Sequence, residues 1–467
     1  MRLCGGCRAV RYCTLACQRQ HWAVHRAHCA PRKGSIKEGA RDVGGRPRVD
    51  REEGVGTEEE EEGPVMEVVR VYGGDSDPRF SQLVEAVRSG ESRRVLQVLH
   101  EHPALLNARL DSHGATPLMW AVQAGKEEVV SSLLRSPLVD ADLRMGGEDE
   151  DELSPLFVAA EMGQSGIVAL LLEERPSLDA NCPEGSRGVT PLWSAASRGD
   201  VDMLRLLLDK GGGRVDVNAR VRDVGVTPLV AACEYGHAQV VEALLRVPSI
   251  DVEAARLDTG ERPLHAAARA GHVECLELVL AHGGPDVNAA DAEGLTALGS
   301  AAQAGHAAIV ERLLRVPRVD RNAKDIVHGA TPILHAVLRA DEECVRLLAE
   351  AEGVDLNACL GVEGLTPLML ACHTGRVDLV RRLLERRGAA DANRVAADGT
   401  TAAWAAANQG HSACLVALLK AYGADLDLTV PRFGNGASVD ATTALGIALR
   451  KGHAQAAQVL VMANARP

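Results

Sequence analysis

Residues 227–237 read TPLVAACEYGH, and 35 residues further on, residues 262–272 read RPLHAAARAGH. In the first of these, Thr227 at a helix N-cap would accept from the unpaired amides of the first turn. Pro228 behind it loses no hydrogen bond, because its missing donor would be unpaired there anyway. The tripeptide therefore opens a helix. Small residues follow, as in Ala266 to Ala268, and let neighbouring helices approach closely. Gly236 and Gly271 then end the helix by accepting positive φ. Past the glycine, Val240, Val241, Leu244 and Leu245 recur at helical spacing and predict a second helix. A segment such as Asp286 to Ala289, DVNA, reads as the start of a turn.

The frame recurs in both directions. Its Pro position falls at residues 117, 155, 191, 228, 263, 297, 332, 367, 402 and 444, at spacings of 34 to 42 residues. Ala297, Ala402 and Ala444 replace the Pro, Ser154 and Arg262 replace the Thr, and Ile333 and Ala403 replace the Leu. Leu83 to Gly90 fits the frame without the tripeptide and makes eleven copies. One such helix pair cannot bury its own apolar face but stacked pairs can, which predicts a solenoid whose stability sums repeat and nearest-neighbour terms.

These segments resemble the ankyrin repeat, over about 390 of the 467 residues. The resemblance implies an all-α ankyrin-repeat solenoid across residues 78–467, built of helix-turn-helix repeats with hairpin loops. It also implies that the two residues before each Gly line a concave face. Met162, Arg198, Tyr235 and Arg269 fall there and are the expected partner-binding residues, since Met, Arg and aromatic side chains are favoured interface anchors. Trp120, Trp193 and Trp404 fall in the first helix of their copies, where packing is expected.

Departures from the frame mark loops. Met145 to Leu153, MGGEDEDEL, takes up the 38-residue step and reads as a solvated hairpin extension. Pro431 to Ser438 reads as an enlarged turn, and Gly211 to Gly213 as a loop between helix and turn. The last copy ends without a complete turn segment, as expected of a capping repeat.

Composition narrows the function. Hydrophobic residues are 46% but aromatics only 2%, so the core must be built from Ala, Leu and Val. With 51 Lys and Arg against 64 Asp and Glu, the net charge of -13 makes general phosphate-backbone binding a poor expectation. No apolar run reaches 18 residues and the first 30 lack an apolar signal segment, so an intracellular chain, cytoplasmic or nuclear, is expected with no membrane partner. Residues 31–77 are rich in Gly, Arg and Glu and include a five-Glu run, Glu58 to Glu62, which reads as a disordered tether.

Five of the twelve cysteines lie within residues 4–29, and the other seven are scattered singly. That split reads as metal ligands plus reduced core thiols. Cys4, Cys7, Cys13, Cys17, His25 and Cys29 place thiolate pairs at C-x2-C and C-x3-C and put His25 one helical turn from Cys29, a spacing that suits zinc. The order, with Tyr12, Gln18 and Trp22 beside the ligands, resembles the MYND-type zinc finger and defines a small N-terminal zinc-binding module at residues 1–30. What that family does implies that Cys4, Cys7, His25 and Cys29 form one complete site, while Cys13 and Cys17 supply half of a second. The usual upstream pair is missing before Met1, so the expectation is a gene start set too late or a one-ion finger with His21 as a substitute ligand. An ion with four protein ligands leaves no position for an activated water and is structural.

No H-E-x-x-H, G-x-S-x-G, phosphate-binding or dinucleotide-binding motif is present, so no enzyme and no small-molecule substrate are expected. The expected function is a protein-interaction scaffold: the concave surface holds a folded partner, and the finger docks a peptide, which the resemblance implies is often proline-containing. The competing reading is a nucleic-acid or chromatin-associated regulator. It rests on eleven Lys or Arg against two acids over residues 1–48.

Overall fold

The computed structural model describes residues 78–464 except 112, 147–151, 186, 387–388 and 423–442, together with Arg2–Leu3 and Arg11–Tyr12. The chain divides into two compact units, Met1–Met66 and Glu67–Pro467. In the first, the described residues form one antiparallel pair, Arg2 opposite Tyr12 and Leu3 opposite Arg11, a short sheet outside the all-α solenoid. The expected tether at 31–77 and the enlarged turn at 431–438 lie outside the described residues.

Among the described residues the second unit is a run of eleven helix pairs, from Pro78–Ser89 with Ser92–Glu101 to Ala444–Lys451 with Ala454–Asn464. In copies two to eleven the inner helix begins at the Pro position, and its start is chemically explicit. In eight copies the N-cap Thr or Ser oxygen accepts from the backbone amide three residues on, as Thr116 does from Met119 at 3.2 Å and Thr443 from Gly446 at 3.1 Å. The copy at Thr331 is an exception: its hydroxyl is buried with no partner. At the other end Gly271 has φ +83°, where an added Cβ would lie 2.7 Å from the His306 ring. Copy eight instead holds Ala340 in this left-handed position, at φ 62°.

One packing rule couples neighbours. The residue five after the Pro position is buried in copies two to ten, for example Ala196, Cys233, Cys372 and Ala407. The residue twelve after it, Val129, Ile167, Met203 and Val240 among others, is buried as well. Inner helices pack on the inner helices of neighbouring copies, as Pro228–Tyr235 does on Pro263–Ala270, and outer helices on outer helices, as Ala238–Leu245 does on Val273–Ala281.

Polar chemistry adds two ladders. At the hairpin tips each amide donates to the preceding hairpin: Leu257 N to Val224 O at 2.9 Å, Ile326 N to Glu293 O at 2.8 Å, and Gly361 N to His328 O at 2.8 Å. At the turns between repeats an Asn side chain reaches the next turn with both ends: Asn218 donates to Ser249 O and accepts from Asp251 N, and Asn288 does the same with Arg318 and Asp320. The Met145 to Leu153 extension is closed at its base by reciprocal bonds of 2.8 and 2.7 Å. Gly211 belongs to the helix Val201–Gly211 and residues 212–214 form a 3-10 turn, so the triple glycine is no free loop. Arg214 donates to the carbonyls of Leu172, Pro176, Lys210 and Gly211, so the helix end and its neighbour are tied down together.

Candidate functional site

Along an inner helix, burial runs from the Pro through the Ala positions and stops at the last two residues before the left-handed turn. Met162, Arg198, Tyr235 and Arg269 occupy that end in four consecutive repeats. The structure gives them two different roles. Met162 is 52% exposed and Tyr235 is 42% exposed, with the tyrosine ring 6.4 Å from that of His237. Both present apolar surface beside helices whose other apolar residues are covered.

The two arginines direct their donors into the array. Arg198 pairs with Glu161 at 2.9 Å and also donates to the carbonyls of Ala160 and Glu161, which close the preceding inner helix. Arg269 pairs with Glu261 at 2.6 Å and with Glu234 at 3.1 Å. Glu234 also meets Arg256, which pairs with Asp258 at 2.9 Å and lies 3.7 Å from Glu261. Its hydrogen bond from Arg256 holds the Asp258 carboxyl below the usual carboxylate range. Two guanidinium and three carboxylate groups thus knit repeats five and six directly beside Tyr235. Trp193 and Trp404 are buried, while Trp120 is half-buried under the Arg88 guanidinium at 4.8 Å.

Sequence reasoning missed a second row. Leu257, Ile326, Val327 and Val362 are exposed at hairpin tips. The signal was available as large aliphatic residues in turns, where polar or glycine residues are favoured. It missed an acidic row too: Asp140, Asp179, Asp216, Asp251, Asp286, Asp320, Asp355 and Asp391 each accept from the amide two residues on and repeat along the exposed turns.

The described residues hold no group of three or more His, Cys, Asp and Glu side chains able to bind a metal ion. The expected ligands Cys4, Cys7, Cys13, Cys17, His25 and Cys29 lie outside the described residues. Their donor set, thiolates and one imidazole, is of the kind zinc takes. Of the seven array cysteines, six are buried and Cys359 is half-buried. Burial pushes the Cys182 and Cys344 thiols up to about 12 and those of Cys275 and Cys414 up to about 11. Cys233 and Cys372 are driven well above their ordinary value by the same cause. Such thiols are protonated at neutral pH and poor nucleophiles. No helix among the described residues is long and apolar enough to cross a membrane.

A family model of ankyrin repeats, three copies long, matches residues 83–182, 176–256, 250–325 and 316–395, and a MYND finger model matches residues 1–29. Both are non-catalytic interaction domains that generally bind proteins, and the finger implies zinc binding. Alpha-latrocrustotoxin-Lt1a of Latrodectus tredecimguttatus is 30% identical over 155 residues, 33% of this chain and 10% of that protein. Ankyrin repeat and KH domain-containing protein mask of Drosophila melanogaster is 40% identical over 91 residues, 19% of this chain and 2% of that protein. The chain thus spans a tenth or less of either relative's length. Among solved structures, the ankyrin repeat domain of Bcl-3 matches with a TM-score of 0.43 and 27% identity, covering 50% of this chain and 98% of that one.

Proposed function

Since the chain belongs to the ankyrin repeat family and carries a MYND finger at its N-terminus, we propose that it is a non-enzymatic adaptor inside the cell. On this reading the concave face of the array holds a folded protein partner while the finger docks a second, proline-containing peptide. The observation that carries the reading is the exposure of Met162 and Tyr235 at equivalent places on helices that are otherwise buried. Arg198 and Arg269 then act by fixing the rim around them, because their charges are already committed within the array. Six buried, unpaired cysteines support a reducing compartment.

At the finger, Cys4, Cys7, His25 and Cys29 would hold one zinc ion, with Cys13 and Cys17 as half of a second site. The metal's contribution would be to folding, since a 30-residue module has too little core to fold without it. The competing reading, nucleic-acid binding through the basic residues 1–48, meets the acidic row on the array, which repels phosphate. A gel shift of the full chain that persists at physiological salt would favour it over the adaptor.

The test compares proteins recovered on the full chain with those recovered on the Met162→Glu, Tyr235→Glu double variant, after circular dichroism shows equal helicity. Specific loss of a partner from the variant supports the concave face. An unchanged set of proteins overturns it.

A further inference from the structure

Repeat eight is apolar at both of its exposed ends. Its hairpin tip shows Ile326 at 75% and Val327 at 58% exposure, and the tip of repeat nine shows Val362 at 96%. At the far end of the inner helix Pro332–Arg339, Leu338 is 54% exposed, in the position that carries Gln123, Glu161, Ser197, Glu234, Arg269 and Asn408 in other copies. The tips are held in place by the fold itself. Ile326 N donates to Glu293 O and Gly361 N to His328 O, both at 2.8 Å, so the tips of repeats seven, eight and nine are tied in series. Within the middle tip the Asp325 carboxylate accepts from the amides of His328 at 2.6 Å and Gly329 at 3.1 Å, and it lies 2.9 Å from His335. An apolar surface already fixed loses little freedom on binding.

The charge beside Leu338 is uncommitted. Arg198 and Arg269, near the ends of their own inner helices, are paired with Glu161, Glu234 and Glu261, whereas Arg339 has no hydrogen bond or ion pair among the described residues. Arg376 of repeat nine donates to Ala340 O, in the turn that follows Arg339, and among the described residues it has no carboxylate partner either. One carboxylate is close: Asp341 lies with Arg339 beside Gly305, but its Oδ1 is taken by the Cys344 amide at 2.8 Å. Two guanidinium groups against one carboxylate leave this helix end positive. Glu161 and Glu234 are the acids at the last two positions before the turn in copies two to eleven, so none stands there from copy six onward. Along the tips, by contrast, Lys324 and Arg394 stand with Glu293 and Glu363, so charge balances and the tips select for apolar side chains.

We propose that repeats eight and nine bind an extended acidic segment of another protein, with its bulky apolar side chains on Ile326, Val327 and Val362 and its carboxylates on Arg339 and Arg376. The spacing follows from the inner helix that separates the two rows: eight residues at 1.5 Å each span about 12 Å, which about four extended residues cover. That helix is buried from Pro332 to Val337, so nothing protrudes into the path. The apolar tips supply contact area and the guanidinium groups select the sign of the partner. Exposed ion pairs are screened, so the association weakens as salt is added. The surface is separate from Met162 and Tyr235 in repeats three and five, so the inference goes beyond the adaptor reading and holds or fails independently of it.

Selection of a random peptide library, displayed on phage, against the full chain tests this. Enriched sequences should combine large apolar residues with Asp or Glu about four positions away, and a synthetic peptide of the leading sequence should bind in fluorescence anisotropy. The Ile326→Ser, Val362→Ser double variant and Arg339→Glu should each weaken that peptide at least ten-fold with an unchanged thermal melt, and sodium chloride should weaken it too. The Met162→Glu, Tyr235→Glu double variant should bind it as the parent does. Failure to enrich acidic sequences overturns the proposal, as does a peptide whose binding survives the tip variant or Arg339→Glu at full strength. A peptide lost only from the Met162→Glu, Tyr235→Glu variant belongs to the adaptor surface and overturns it as well. So does self-association in sedimentation velocity that the tip variant abolishes, because a second copy of the chain is then the occupant.

Discussion

His265 is the one histidine at its repeat position, two residues after the Pro, and it is 1% exposed. Its Nε2 faces the carbonyls of Ala289 at 2.9 Å and Leu295 at 3.1 Å, while Nδ1 accepts from the amide of Arg262 at 3.4 Å. A neutral ring with its proton on Nε2 satisfies all three, whereas a charged ring would set an N–H against an N–H at Arg262. Burial accordingly pushes the His265 pKa below its ordinary value, against the pull of Asp291 and the two carbonyls. Replacing it with Leu removes the Nε2–H bond shared by the two carbonyls and the longer bond at Nδ1, and strands the Ala289 carbonyl while that of Leu295 keeps the Asp291 amide, so the loss at neutral pH should be about 1–3 kcal/mol. The pH dependence has a definite sign. Because the folded pKa lies below the unfolded one near 6.5, the unfolded state takes up the proton first. Stability from His265 is present above about 6.5 and is lost as pH falls toward the folded pKa, with a slope of at most about 1.4 kcal/mol per unit. Urea unfolding followed by circular dichroism at pH 7.5 and at pH 5.5 measures both effects. The difference between parent and His265→Leu should shrink at the lower pH. A difference independent of pH, or a variant as stable as the parent, refutes the tautomer argument.

Further outcomes follow from the same geometry. Gly271→Ala should destabilise by at least about 1–2 kcal/mol, the cost of a left-handed alanine, since the new methyl also meets the His306 ring; Ala340→Gly should leave stability equal or higher, both read by urea midpoints. Maleimide labelling of the native chain followed by peptide mapping should modify Cys359 before any other array cysteine, and rapid labelling of Cys233 or Cys372 would contradict their burial. A chelator should release zinc from the full chain, about one equivalent if the finger holds a single complete site, and leave the helical signal at 222 nm almost intact. Collapse of that signal would show that the repeats depend on metal.

The fold was legible because its determinants are local and repeated. A hydroxyl cap, a proline and a left-handed glycine each act within one helix, so each leaves a mark at a fixed spacing, as Thr227, Pro228 and Gly236 do. The contacts between repeats were less legible because each partner looks ordinary alone. Asn218 and Asn288 recur in the frame, yet nothing in a single copy says that their amides grip the next turn. The rim residues show the same limit: Arg269 was readable as an interface side chain, but Glu234 and Glu261, which hold it, come from elsewhere in the sequence. The finger was legible as donor chemistry alone.

Coupling between repeats relies heavily on backbone carbonyl groups, and this separates fold from recognition. His237, His306 and His453 each stand right after a helix-ending glycine and set Nε2 3.0 to 3.1 Å from a carbonyl of the preceding repeat, at Ser197, Arg269 and Asn408. Where histidine is missing a carbonyl of the preceding repeat still accepts, two residues further along: Arg376 donates to Ala340 O at 3.1 Å. A carbonyl acceptor is indifferent to the side chain that its own residue carries. Ser197, Arg269 and Asn408 all lie in the last turn of their inner helices, so their side chains can vary while the junctions beneath them keep the same bonds. A stack coupled in this way can change what it binds without changing how it folds, whereas a substitution of His306 should weaken one junction and leave the chemistry of the rim as it was.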